Sequence, residues 1–258
     1  MRVISFLIFL IITSTAIAEE DPRFSISIGA FFTDRESKTR VDGDSGRGTD
    51  IDLEDDLGLK KSDTVFRVDG YWRFAEKHRF DFSVFDLSRE SSKQIEREIV
   101  WEDTTYPINS TVNTDLDLSI YKAAYTWMFL KRDRSFLGAT VGLYVADMKA
   151  TLSASSVGSV ESNDLTAPLP VIGLRGEHRF AERWAIRGSG EIFAVDYGDY
   201  EGSLYDVFVG FDFSVTKAIA IGVGINAVEL DVAVSKSSFQ GDLNWQYEGA
   251  LAYLKFDF

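Results

Sequence analysis

The chain has 258 residues, a formal charge of −14, no cysteine, four prolines and 14% aromatic residues. Without cysteine there can be no disulfide scaffold and no thiolate metal site, and 41 acidic against 27 basic side chains oppose binding to nucleic-acid phosphates, which needs clustered cations. At 45% hydrophobic residues the chain can bury a sizeable core, in one or two domains at this length.

Arg2 precedes an apolar run from Val3 to Ile12, and Ala16-Ile17-Ala18 then offers a small-x-small cleavage pattern before Glu19. Residues 1–18 are expected to be an export signal and 19–258 a single domain. The run is shorter than the roughly 20 apolar residues of a spanning helix, which weighs against an N-terminal anchor. From Phe24 the chain alternates: Phe24, Ile26, Ile28, Ala30 and Phe32 share one parity, Ser25, Ser27, Gly29 and Thr33 the other.

The segment Asp42 to Asp56 carries the densest charge. Asp42, Asp44, Asp50 and Asp52 are weak candidates for a hard cation, but an EF-hand glutamate is missing because Leu53 stands in its place. A solvated loop is the plainer reading, and Asp50, Asp52 and Glu54 with Ile51 and Leu53 also read as a strand extension. Alternation returns with Phe66, Val68, Trp72 and Phe74 against Arg67, Asp69, Tyr71 and Arg73, then with Phe80, Phe82 and Val84 against Arg79, Asp81 and Ser83. Between Asp115 and Phe129 the apolar parity changes from Leu116, Leu118 and Ile120 to Tyr121, Ala123, Tyr125, Trp127 and Phe129, which predicts a bulge or a rim crossing near Ile120. Leu137 to Val145, Ile172 to Glu177, Ile186 to Ala194, Tyr205 to Val215 and Ile219 to Asn226 continue the pattern.

Strands of roughly 10 to 15 residues suit tilted strands in a bilayer, where about 9 to 11 lie in hydrocarbon. Connections at 75–77, 131–135, 181–183 and 216–218 are short, whereas 36–62, 90–113 and 151–166 are long. Short turns on one side and long loops on the other mark an outer-membrane barrel. The expected fold is all-β, a transmembrane antiparallel up-and-down barrel of ten strands, with eight or twelve as alternatives and both termini periplasmic. Pro22, Pro107, Pro168 and Pro170 are expected outside the ladder or at a strand's outer end. Trp72, Phe74, Trp127, Phe129, Phe180 and Trp184 gather beside the short turns, where an aromatic girdle belongs.

At the C-terminus Ala250, Ala252, Leu254, Phe256 and Phe258 form one apolar parity ending on an aromatic residue. This resembles the last-strand signal read by the bacterial barrel assembly machinery, with Leu254, Phe256 and Phe258 as its residues. More widely, Asp50-Ile51-Asp52-Leu53-Glu54-Asp55-Asp56-Leu57-Gly58-Leu59, the pair Gly70-Tyr71-Trp72-Arg73-Phe74 and His78-Arg79-Phe80-Asp81-Phe82, and Tyr121-Lys122-Ala123-Ala124-Tyr125 resemble uncharacterised proteobacterial outer-membrane barrels of the OmpA-like or porin-like kind. The resemblance spans most of the mature chain and implies a barrel in the Gram-negative outer membrane, in contact with lipid and lipopolysaccharide. It carries no catalytic residues across.

The inward parity predicts a lumen charge network of Arg67, Asp69, Arg73, Asp81, Arg175, Glu177, Arg187, Glu191, Asp206 and Asp212. Both signs occur in similar number, so the network reads either as a salt-bridged plug or as the lining of a narrow polar pore, and the plug is preferred. His78 and His178 lie beside short turns, away from the outer loops where a surface substrate would meet a base. No cofactor, no metal and no enzymatic activity are expected, nor any nucleic-acid partner. The expected role is structural or surface-interacting, with a small-solute channel as the alternative and a barrel enzyme as the least supported reading; no surface ligand can be named.

Overall fold

A computed structural model of the chain describes residues 22–43, 48–155, 157–158, 160–197, 200–236 and 239–258. The expected export signal at residues 1–18 and Asp44 lie outside them. The strands are β1 (Phe24–Asp42), β2 (Ile51–Asp52), β3 (Ser62–Ala75), β4 (His78–Asp86), β5 (Arg89–Gln94), β6 (Ile99–Trp101), β7 (Thr104–Tyr106), β8 (Thr111–Arg132), β9 (Ser135–Ala154), β10 (Val160–Arg179), β11 (Trp184–Tyr197), β12 (Tyr200–Ser214), β13 (Ile219–Lys236) and β14 (Phe239–Asp257). Ten staves make one antiparallel wall: β5 prolongs β4 along β8, and β2 prolongs the β3 stave along β1. The wall closes where β14 pairs with β1, from Ser25–Asp257 to Asp42–Gln240. Past that register Phe258 O accepts the amides of Arg23 (2.8 Å) and Phe24 (3.1 Å), so no edge is left at the seam.

Each strand's two faces follow its sequence parity, and near Ile120 the faces exchange character. Below that level the outer face is apolar: Phe66, Trp72, Val141, Ile172, Ile192, Val223 and Ile225 are half or more exposed. A continuous apolar surface of this kind belongs against hydrocarbon. Above it the apolar residues point inward, and Leu116, Leu118 and Ile120 are buried while Asp115 and Asp117 face outward.

This exchange decides between a bulge and a rim crossing near Ile120 in favour of the crossing. The ladder runs without interruption through Ile120, pairing Phe85 with Ile120 on one side and Ala146 with it on the other. No bulge lies there; the strand leaves the apolar belt instead, and the register shift of β8 and β9 falls between Trp127 and Leu130, at the turn end. The strands also outlast their expected ends. β9 and β10 run to Ala154 and from Val160, so most of the anticipated loop 151–166 is paired wall.

Pro168 and Pro170 lie inside β10, opposite Val145 and Leu143 of β9, and not at the strand's outer end. Their missing N–H groups are tolerated because the β10–β11 ladder ends at Ile172–Ile192, two residues beyond Pro170. The β3–β4 ladder likewise ends at Arg67–Phe85. Above these points the laddered wall forms two groups, β5-β8-β9-β10 and β11-β12-β13-β14-β1 with β2 and the start of β3, which backbone bonds from Glu102 to Val41 and from Thr49 to Val100 link at the loop end.

Between these groups sits an apolar core that includes Phe31, Phe85, Leu118, Tyr144, Val171, Leu204, Leu230, Trp245, Tyr247 and Leu251. Inside the barrel large rings lie over glycines on neighbouring strands. A Cβ on Gly222 would stand 2.0 Å from the Tyr253 ring, and one on Gly249 would stand 2.9 Å from the Phe31 ring and 2.1 Å from Phe32 O. Gly222→Ala should therefore cost about 1–3 kcal/mol by overpacking. In urea titrations of the chain folded in detergent, combining it with Tyr253→Ala should cost less than the sum of the two single changes; strict additivity would contradict the contact.

Candidate functional site

The lower lumen is the most concentrated array of polar chemistry in the molecule. Inward positions on seven staves meet in a continuous relay. Arg79 Nη2 lies 2.5 Å from Asp81, which also accepts the Thr126 hydroxyl at 2.7 Å. Arg175 reaches Asp81 at 3.6 Å and donates to Glu191 at 2.9 Å. Lys122 bridges Glu191 and Asp206, the latter at 3.3 Å. Asn226 donates to Asp206 at 2.6 Å and accepts from Arg67 at 2.6 Å, and Arg67 ends the series on Asp69 at 3.0 Å. Four cations alternate with four carboxylates along this path. Beside it Arg187 and Lys255 both approach Asp212 at 3.6 Å, and the Tyr253 hydroxyl donates to the same carboxylate.

Eight of the ten expected lumen residues thus lie in these two clusters. The other two do not: Arg73 extends to Pro22 O at 3.4 Å at the turn end, and Glu177 faces Arg179 at 3.6 Å. Sequence reasoning missed Arg79, Lys122, Asn226, Tyr253 and Lys255. Each stands on the inward parity of a strand whose outward residues had been recognised. Lys122 was hidden by the parity change at Ile120, and Lys255 by the attention drawn to Leu254 and Phe256.

The relay borders a cavity of about 50 Å³, room for a water or two. Arg67 joins the charge layer to the apolar core above it, with its guanidinium 4.8 Å from the Phe85 ring and 5.5 Å from Phe31. Lys122 does the same against Tyr144 at 4.8 Å, a geometry in which the ring faces partly replace lost hydration.

Over the loop end lies a second core that overturns the reading of Asp42 to Asp56 as a solvated loop. Ile51, Leu53, Leu57 and Leu59 are buried with Ile95, Ile99, Trp101 and Tyr106, against Val112 and Leu116 of β8 and Leu152 and Ala154 of β9. Gly58, at φ +76°, supplies the left-handed turn by which the chain leaves this hairpin. The acids have local uses: Asp42 pairs with Arg40 at 3.0 Å, Asp50 approaches Arg40 at 3.4 Å, and Asp52 accepts the amides of Glu54 (3.1 Å) and Asp55 (2.7 Å). Among the described residues no three His, Asp or Glu side chains are grouped to hold a metal ion. The hairpin is tied to the 87–110 segment by Arg97, which donates through Nε to Asp56 at 3.0 Å.

Both histidines lie at the turn end. His78 meets the Tyr125 hydroxyl at 2.5 Å and stacks on Phe74 and Tyr125, and His178 is exposed. Trp72, Phe74, Trp127, Phe129, Phe180 and Trp184 point outward at the same end, and Leu254, Phe256 and Phe258 occupy the outward face of the closing strand.

No protein-family model matches the chain, and no curated protein is similar to it in sequence. Similarity appears among solved structures. The outer-membrane protease OmpT from Escherichia coli aligns with a TM-score of 0.60 at 14% identity, covering 95% of this chain and 99% of that one. Ail, the attachment invasion locus protein of Yersinia pestis, gives 0.34 at 13% identity over 91% and 99%, and Neisserial surface protein A gives 0.34 at 12% over 93% and 100%. At such identities the likeness concerns the fold alone. The chain is a closed, antiparallel, ten-stranded β-barrel of the outer-membrane type.

Two measurements probe the site. Arg175→Met leaves Asp81 and Glu191 short of a cation in a buried layer and should destabilise the folded barrel by about 3–5 kcal/mol in urea titrations; adding Glu191→Gln should recover part of that loss. At the loop end, burial acts to raise the Asp56 carboxyl pKa, but the Arg97 guanidinium and the Asp52 amide outweigh it and hold the pKa below the usual carboxylate range. The folded-state pKa is depressed, so this contact stabilises the hairpin above the ordinary carboxylate pKa of about 4 and is lost as pH falls further. Hydrogen exchange across residues 50–60 should accelerate on acidification below that point, and Asp56→Asn should remove the pH dependence.

Proposed function

We propose that this protein is a closed outer-membrane barrel with a structural or surface-interaction role, not an enzyme, and that it presents a capped acidic platform to the outside. The single observation that carries the reading is that the lumen is filled at two levels, by an alternating charge relay and by an apolar core above it. A solute would have to break ion pairs at one level and displace aromatic side chains at the other. The termini and short turns lie on the periplasmic side, where Arg73, Lys131, Arg132, Arg134 and Arg179 surround a recess of about 40 Å³. The long connections and their carboxylates face outward, in contact with lipopolysaccharide, and the final strand with Leu254, Phe256 and Phe258 is the segment presented to the assembly machinery.

With His78 and His178 at the turn end, a hydrolytic mechanism at the outer face would have to work without a histidine base. In planar bilayers the purified protein should be silent, and it should stay silent when Arg175 is replaced by Met. Stepwise conductance of the unaltered chain, with ion preference changed by Arg67 or Arg175 neutralisation, would select the narrow-channel alternative instead.

A further inference from the structure

Within the loop-end half, two buried guanidinium groups lie near one buried carboxylate, which contacts only one of them. The β3–β4 ladder stops at Arg67–Phe85, and above it the 50–61 hairpin completes the wall between β1 and β5. Glu54 of that hairpin turns inward, where it accepts the Ser37 amide at 2.8 Å and the Arg89 guanidinium. Arg89 also donates to Ser37 Oγ at 2.9 Å and to Lys60 O at 3.3 Å. Arg35, one inward step below Ser37, donates through Nε to Thr33 Oγ1 at 2.9 Å and reaches Leu87 O only at 3.5 Å. Arg35, Arg89 and Glu54 are 1%, 6% and 5% exposed, and Arg35 Nη2 and Arg89 Nε have no hydrogen-bond partner.

A latch that merely fastened the hairpin would need one arginine against Glu54. The second is a buried positive charge that no carboxylate contacts directly, since Asp63 and Glu54 act on it only at longer range, a costly arrangement. It contrasts with the relay of the lower lumen from Arg79 to Asp69, where cations and carboxylates alternate one for one. An oxyanion carrying two negative charges matches a pair of guanidinium forks in charge and in acceptor number, whereas one carboxylate does not.

We propose that Arg35 and Arg89 form an oxyanion-binding subsite for a phosphate group, and that the Glu54 carboxylate holds its Arg89 side as a resident surrogate that a phosphate displaces. The phosphate could come from a soluble solute or from a lipid headgroup. The subsite is independent of whether the lumen conducts, because it lies in the wall above the charge relay.

The test uses the full chain folded in uncharged detergent micelles, with its urea midpoint followed at constant ionic strength. In one arm chloride is exchanged for inorganic phosphate; in the other the micelles are doped with phosphatidic acid. The midpoint should rise in at least one arm, and the arm that responds identifies the source. Glu54→Gln, which weakens the internal competitor, should lower the concentration needed for half the effect by about tenfold or more. Arg35→Leu should abolish the response while its midpoint without phosphate equals or exceeds that of the unaltered chain. No rise in either arm, or an equal rise in Arg35→Leu, would overturn the proposal. So would an Arg35→Leu chain that is less stable without phosphate, since Arg35 would then belong to the hairpin latch.

Discussion

Everything in this molecule depends on a wall whose side chains alternate in and out and whose apolar face changes sides partway up. Hydrocarbon demands apolar residues outside and a backbone paired throughout; water above the bilayer demands the reverse arrangement of side chains. One continuous set of strands meets both demands because the period of two is kept while residue character is exchanged near Ile120. The lumen contents follow from this. Where the outside is apolar the inside is polar and must pair its charges, and where the outside is wet the inside can close as an ordinary hydrophobic core.

The two interior layers hold the barrel closed by different physics. The apolar layer is stabilised by burial and is insensitive to salt. The charge layer is stabilised only because every carboxylate on its path stands between cations or beside one, with Asn226 as the neutral link between Asp206 and Arg67. Buried ion pairs of this kind contribute little net stability but penalise any arrangement that leaves one member alone. In a chain whose ten staves could slip past one another, that penalty favours a single register.

Much of the fold was legible from periodicity alone: the strand parities, the four tight turns, the closing C-terminal strand and the inward acids Asp69, Asp81, Asp206 and Asp212. What was not legible shares one cause, the assumption that apolar residues mark the outer face throughout. It set a bulge beside the rim crossing that is found at Ile120, and it made a solvated loop the plainer reading of a stretch whose Ile51 and Leu53 are buried. It also obscured Lys122, whose neighbours Tyr121 and Ala123 face outward. Arg89 meets Ser37 and Glu54 from 52 and 35 positions away in sequence, and no local pattern announces the group they form with Arg35.

Pro168 and Pro170 have a mechanical consequence. Backbone hydrogen bonds stitch the wall at every junction near the turn end, but between β10 and β11 the stitching stops at Ile172–Ile192, just below the two prolines. Past that level no ladder pair joins the two strands among the described residues, and neither proline can offer an amide to extend the ladder. The wall therefore carries a line without ladder bonds above a ring in which every junction is laddered.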